Sequence, residues 1–300
     1  MLDTMIGGYT LLELFWYFMG YSFSGWLLEV AYAFKKEHRY VNRGFLFGPF
    51  CPIYGFGVLS VLLLTSVCGF QAFEYGPGNL LVLFILVALL TTALEFVVGA
   101  LLMLFFKQRW WDYSDRKINI KGYICLQFTV YWGLGGSILY LMLDGLAWNR
   151  GLDLARPAFD YLTLATFCYL LVDATKSVDL AIRLRKFAGE LAEAARELRE
   201  RIEAIPELDL DYWRIEAAIR RGRMNEAIEE FSDHLSQLGK DSRLKLRQAM
   251  TRYDGLLTGG RIKQFRHIVH AFPRIRDIRH AGILDVVKER INLPKARKRP

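Results

Sequence analysis

The sequence predicts an all-α, polytopic membrane helical bundle. It would hold five transmembrane helices with the N-terminus outside and the C-terminus inside, arranged as two parallel helical-hairpin repeats, and carry a cytoplasmic helical C-terminal domain. Three observations predict this. Leu80–Phe106 is apolar for 27 residues, with Glu95 as its one ionisable group, and a helix needs roughly 20 apolar residues to cross a bilayer. Four further apolar stretches surround it. Charge is divided sharply along the chain: residues 1–182 hold 12 Lys/Arg and 13 Asp/Glu, whereas residues 183–300 hold 27 and 18. We therefore read 1–182 as a transmembrane domain, 183–294 as a cytoplasmic helical domain and 295–300 as a basic disordered tail.

The spans are Thr10–Phe34, Pro52–Phe73, Leu80–Phe106, Gly122–Leu143 and Ala158–Val178. The connection Lys35–Phe50 carries Lys35, Lys36, Arg39 and Arg43 against Glu37. The connection Lys107–Lys121 carries five basic residues against Asp112 and Asp115. Arg183, Arg185 and Lys186 follow the fifth span. Basic connections stay on the cytoplasmic side, and five spans satisfy that alternation without conflict. The first basic residue is Lys35, so a removable signal peptide is not expected.

Two segments echo each other. Leu28-Glu29, Asn42-Arg43-Gly44, Cys51 and Tyr54-Gly55 are followed by Leu94-Glu95, Asn119, Lys121-Gly122, Cys125 and Tyr131-Trp132-Gly133. Each copy is a span, a basic connection and a returning span. Like-oriented copies imply an axis along the membrane normal, with Glu29 and Glu95 facing each other across it.

Beyond the fifth span, residues 177–205 continue in helical pattern for roughly 40 Å. Glu193, Glu197 and Glu200 interleave with Arg196, Arg199 and Arg201 as a solvated, self-paired face. Pro206 ends the run. Amphipathic segments follow at Tyr212–Arg221, Met224–Leu238, Ser242–Leu257, Ile262–Phe272 and Ile283–Ile291. They read as a small helical bundle or as a module for lipid or partner binding.

Several groups are candidates for function. Glu95 lies twelve residues before Lys107, about 18 Å along a helix and so near the bilayer midplane. A carboxylate there faces a bundle interior or an aqueous cavity, as part of a polar pathway or as a packing element. Glu29 lies six residues before Lys35 and is placed to pair with Arg43 or Lys35. Glu29, Glu95, Asn42, Arg43, Cys51 and Tyr54 form the candidate substrate pathway. Five of the fourteen residues from Asn42 to Gly55 are Gly or Pro. That composition suits a re-entrant turn, a broken helix start, or an ordinary loop with Pro52 opening a helix. Trp110, Trp111, Asp112 and Tyr113 read as an interfacial turn. Asp173, Lys176 and Asp179, with Arg183 beyond, are spaced as a self-neutralising charge ladder or an ion relay.

Other chemistries find less support. No Walker A, HExxH or GxSxG sequence occurs. Cys51, Cys68, Cys125 and Cys168 form no CxxC pair, so neither zinc nor a disulfide framework is expected. His267, His270 and His280 read as surface histidines. No metal or cofactor is expected and no catalytic residue can be assigned. The basic tail suits anionic lipid head groups, and no nucleic-acid motif accompanies the charge.

Gly25-Trp26-Leu27-Leu28-Glu29, Asn42-Arg43-Gly44-Phe45-Leu46, Gly48-Pro49-Phe50-Cys51-Pro52-Ile53-Tyr54-Gly55 and Trp110-Trp111-Asp112-Tyr113-Ser114 resemble a family of bacterial membrane proteins, the ABC-transporter type IV or CmpB-like permeases. The resemblance covers about residues 10–180. It implies a multi-pass inner-membrane permease subunit without its own ATPase, working with a separate ATPase or other cytoplasmic protein. Two further readings stand beside it: a membrane-embedded enzyme acting on a lipid or lipid-linked substrate, and a membrane scaffold or sensor.

Overall fold

In the computed structural model, residues 4–68, 77–145, 156–205 and, apart from single positions at 259, 278 and 281, 239–292 are described. The expected helices Tyr212–Arg221 and Met224–Leu238, the end of the second expected span and the basic tail 295–300 lie outside them. The chain divides into two compact units: Met1–Phe105 with Trp111–Val178, and Phe106–Trp110 with Asp179–Pro300.

The first unit opens with a two-stranded ribbon, β1 (Met5–Ile6) and β2 (Tyr9–Thr10). Gly7 and Gly8 supply the two positive-φ positions that such a tight turn requires. Helix α1 (Leu11–Glu37) follows. Thr10 starts it with a reciprocal capping box, accepting from the Glu13 amide while the Glu13 carboxylate accepts from Thr10 N–H. His38, in the left-handed conformation, closes it. Helix α2 (Pro52–Val67) begins with Pro at its first turn, where a missing N–H costs nothing. Helix α3 (Pro77–Phe106) is predominantly apolar, with Glu95 its one ionisable side chain. After β3 (Gln108–Arg109), which belongs to the second unit, the ribbon β4 (Asn119–Ile120) and β5 (Ile124–Cys125) leads to α4 (Leu126–Gly145) and to the 48-residue α5 (Arg156–Glu203), whose residues up to Val178 belong to the first unit.

The fold is mostly helical, as expected, but among the described residues three short antiparallel ribbons interrupt it. The ribbon β4–β5 moves the start of α4 four residues past the expected Gly122, because Lys121 and Gly122 both adopt positive φ and turn the chain back. Among the described residues one helix, Gly78–Phe106, is long and apolar enough to cross a membrane; Pro52–Val67 is apolar but shorter.

Val61, Leu62, Leu83, Val87 and Tyr140 form a core cluster among α2, α3 and α4. Two glycines set how closely these helices approach. A β-carbon on Gly133 would lie 2.7 Å from Phe84 and 2.8 Å from Ala88. One on Gly55 would press on Ser22 and lie 2.6 Å from Phe18. Phe84 and Ala88 precede Glu95 by the same 11 and 7 residues by which Phe18 and Ser22 precede Glu29. The two hairpins thus place corresponding residues in corresponding contacts.

The loop between α1 and α2 is held from a distance. Asp173 of α5 accepts the Phe47 N–H at 2.9 Å and the Gly48 N–H at 2.7 Å. A side chain on Gly48 would collide with the Tyr169 hydroxyl and Asp173. Charge-assisted bonds to a carboxylate replace the water that such a buried loop has lost.

The second unit is built on the Asp179–Glu203 part of α5. Leu180, Leu184, Phe187, Leu191, Leu198 and Ile202 make a buried stripe along it. The expected solvated face is therefore one side of a helix whose other side is core. Helix α6 (Lys240–Thr258) buries Leu246, Met250, Tyr253 and Leu257. A 3₁₀ segment (Gly260–Phe265), α7 (Arg266–Ala271), β6 (Arg276–Asp277) and α8 (Ile283–Asn292) complete the unit. Strand β3 pairs with β6, and Trp110 packs edge-on against Phe272 at 4.8 Å. Arg261 and Arg252 pair with Glu190 and Glu197 on its surface.

Gly55→Val and Gly133→Val should each lower stability by about 1–3 kcal/mol through overpacking. Gly135→Ala, inside α4 with open space around its site, should raise stability by about 0.5–1 kcal/mol through helix propensity, read as a higher midpoint of thermal unfolding in detergent. Asp173→Ala leaves two N–H groups unpaired, at about 2 kcal/mol or more, and should expose residues 44–50 to limited proteolysis.

Candidate functional site

The site forms where the two hairpins of the first unit meet. Helix α1 carries Glu29 on the same face as Tyr32 and Gly25. Tyr54, on the first turn of α2, donates its hydroxyl to Glu29 at 2.9 Å. It reaches that far because Gly25 has no side chain; a β-carbon there would overlap the Tyr54 ring. Arg43 lies with Nε 3.5 Å from the Glu29 carboxylate and its guanidinium 5.8 Å from the centre of the Tyr32 ring. The Glu29 and Arg43 side chains are 31% and 19% exposed, so this pair is only partly sheltered and its strength is limited by solvent.

Asn42 organises the loop that delivers Arg43. Its side-chain oxygen accepts from the Trp26 indole at 2.8 Å and the Gly44 N–H at 3.0 Å, and its amide donates to the Phe47 carbonyl at 2.9 Å. Cys51 is buried before α2, and its N–H donates to the Ser22 carbonyl at 2.9 Å. Burial, with the nearby Glu29 adding and Arg43 opposing, pushes the Cys51 thiol up to about 12. Such a thiol is neutral at physiological pH and is no nucleophile.

Glu95 is 7% exposed and points into the protein. Tyr113 donates its hydroxyl to it at 3.1 Å, and the Trp132 indole donates a second hydrogen bond. The Tyr113 ring stacks on Phe128 at 4.7 Å. Burial, and then the Glu95 carboxylate, push the Tyr113 phenol well above its usual range. It stays a neutral donor. Tyr54 and Trp132 meet edge to face with centroids 5.4 Å apart. A continuous chain of contacts therefore joins the two carboxylates: Glu29, Tyr54, Trp132, Glu95.

Of the candidate pathway residues, Glu29, Arg43 and Tyr54 touch directly, Glu95 reaches them through Trp132, and Asn42 and Cys51 sit behind them in the loop. The candidate interfacial turn is divided. Trp110 is buried in the second unit, whereas Trp111 and Tyr113 belong to the first. The Trp111 indole donates to the Tyr123 carbonyl at 2.8 Å, and Asp112 accepts the Ser114 N–H at 3.0 Å. The charge ladder is divided as well. Asp173 serves the Phe47 and Gly48 amides, Lys176 is exposed, and Asp179 pairs with Arg183 at 2.7 Å. Among the described residues no three His, Cys, Asp or Glu side chains are grouped to hold a metal ion.

Two residues of this site were not among the sequence candidates. Trp132 occupies, against Glu95, the place of Tyr54 against Glu29. The echo of Tyr54-Gly55 in Trp132-Gly133 carried that signal. Trp26, which orients Asn42, stood within the Gly25–Glu29 run that carries the family resemblance, but nothing in its spacing marked it as the partner of Asn42.

No curated protein and no solved structure matches the chain. A family model described as Putative ABC-transporter type IV matches residues 16–178, more than half of the 300 residues. The match spans both carboxylates, the Asn42–Arg43 loop and the Trp110–Tyr113 turn. The chain belongs to that ABC-transporter type IV family.

Proposed function

We propose that the chain is a permease-type membrane subunit, with five transmembrane helices, whose substrate or coupling ion passes along the Glu29–Glu95 centre. The observation that carries this reading is the inward-facing pair of carboxylates joined through Tyr54 and Trp132. A carboxylate inside apolar helices costs about 2.5–3.5 kcal/mol or more when charged. Packing alone would be served at lower cost by an apolar side chain. The five-span topology draws support from large apolar side chains left exposed on four helices: Leu27 and Leu28 on α1, Leu89 and Leu101 on α3, Leu134 and Ile138 on α4, Phe167 and Leu171 on α5. A water-soluble chain rarely exposes so much apolar surface. Lipid covers it in this reading, and the N-terminus lies outside. The ATPase that drives an ABC permease would be a separate chain.

The enzyme reading fits the centre less well. The Cys51 thiol and the Tyr113 phenol are both held protonated. Each carboxylate is engaged by fixed donors rather than aimed at an open pocket.

Glu95→Gln keeps the volume and removes the charge. In cells lacking the native gene, untargeted comparison of internal and external metabolites should show a difference that wild type restores and Glu95→Gln does not, at equal membrane abundance. Restoration by Glu95→Gln rules out the pathway. Tyr54→Phe removes one donor and keeps the ring contact with Trp132. It should reduce the restored difference several-fold and lower stability by about 1 kcal/mol, measured by thermal unfolding in detergent. Full activity in that variant would separate Tyr54 from the path.

A further inference from the structure

The second unit contains a basic cavity, separate from the carboxylate centre, to which nothing above assigns a role. Its volume is about 350 Å³, near the lower end of the roughly 300–1,000 Å³ typical of ligand sites. Lys107, Arg185, Lys186 and Arg279 line it together with His280. One carboxylate, Asp277, accompanies these four permanent cations. It is already committed: its Oδ1 accepts the Arg279 and His280 N–H groups, each at 2.9 Å, and lies 3.3 Å from His280 Nδ1. It shapes the turn that presents Arg279 and His280, and it is the one carboxylate among lining residues that include four basic side chains.

Gly189 also lines the cavity. It is the one glycine in the 48 residues of α5. Glycine inside a helix costs about 0.8–1.0 kcal/mol relative to alanine. No neighbour requires it there, since a β-carbon at 189 would meet nothing within 4 Å. What the missing side chain does is keep the cavity open at a point where most residues would fill it. Lys107 follows directly on Phe106, the last residue of the apolar helix α3, and takes a left-handed conformation (φ 56°) to turn away from it. Ile182, exposed on α5, adds an apolar edge.

We propose that this cavity binds a phosphate group. Guanidinium groups match phosphate oxygens in a two-pronged geometry, and lysines add point charge. The site at the end of α3 suits the head group of an anionic phospholipid; a soluble phosphate compound presents the same chemistry. The assignment is independent of the Glu29–Glu95 path and stands or falls without it.

The test uses the full-length protein in a neutral detergent, with thermal unfolding as the readout. Short-chain phosphatidylglycerol and inorganic phosphate are titrated at fixed ionic strength, against short-chain phosphatidylcholine and chloride. At least one of the first two should give a saturable rise in midpoint that the controls do not. Saturation by phosphatidylglycerol alone identifies a lipid head group, and saturation by inorganic phosphate identifies a soluble ligand. Gly189→Glu, which sets a carboxylate in the cavity, and Arg279→Ala, on an exposed turn, should each weaken the effective titrant at least ten-fold. Gly189→Ala should retain it. If Gly189→Glu does not fold, Arg279→Ala and Lys186→Ala decide the matter. The assignment is overturned if neither titrant exceeds the controls, or if the rise persists unchanged in these variants.

Discussion

A carboxylate among apolar helices has to be given hydrogen-bond donors, and the architecture of the first unit follows from meeting that requirement twice. Glu95 can be buried because Tyr113 and Trp132 both donate to it. Those donors arrive from different parts of the chain, so the loop after α3 and the second turn of α4 must both converge on one point of α3. Glu29 imposes the same demand on the loop after α1 and on the start of α2. Close helix approach is then compulsory. Glycine stands at 25, 55 and 133, where any side chain would hold the donors away. The polar centre and the small-residue contacts are one device, since small residues are what let membrane helices come together.

The Gly- and Pro-rich loop is a second instance of the same accounting. Its backbone leaves regular geometry between Asn42 and Cys51, so its N–H and C=O groups need partners that a helix would have supplied. Asn42 provides for Gly44 and Phe47, and Asp173 provides for Phe47 and Gly48. Arg43 is placed by this scaffold rather than by its own contacts. Asp173 is thus a positioning residue, fixing a loop in which the adjacent Arg43 meets Glu29.

How much of this was legible depended on the range of the interaction. The helices were legible because apolar runs and caps are local: α1 begins one residue after the expected Thr10, and α3 ends at the expected Phe106. Glu29, Arg43 and Tyr54 lie in contact, and the short Gly/Pro-rich connection that returns the chain to α1 is what made their proximity readable from spacing. Asp173 was misplaced into a ladder, since three- and four-residue spacing is visible in a sequence and a partner 125 positions away is not. Trp110 could not be separated from Trp111 for the same reason: its contact with Phe272 is set by the pairing of β3 with β6, two residues long and 168 positions apart. The charges at 193–201 drew attention to the solvated side of α5. The buried stripe from Leu180 to Ile202 was present in the same segment and had only to be counted.

The two carboxylates are not equivalent, and the difference bears on how a path between them could work. Glu29 has a permanent cation beside it, and Arg43 is itself stacked over Tyr32. Glu95 is held by two neutral donors, a phenol and an indole. A cation or proton arriving at Glu29 competes with Arg43 for the same oxygens. One arriving at Glu95 displaces no charge and needs only a rotation of the carboxyl group between its donors. The Glu29 carboxylate is thus engaged by a cation as well as by the Tyr54 hydroxyl, whereas Glu95 is engaged by neutral donors alone. Arg43 is carried by the loop that Asp173 holds, so the geometry of the Glu29–Arg43 pair depends on a residue that touches neither side chain. The loop after α1 is therefore fixed at both ends of its irregular stretch, by Asn42 from within and by Asp173 of α5 from outside, and that double hold is what sets Arg43 beside Glu29.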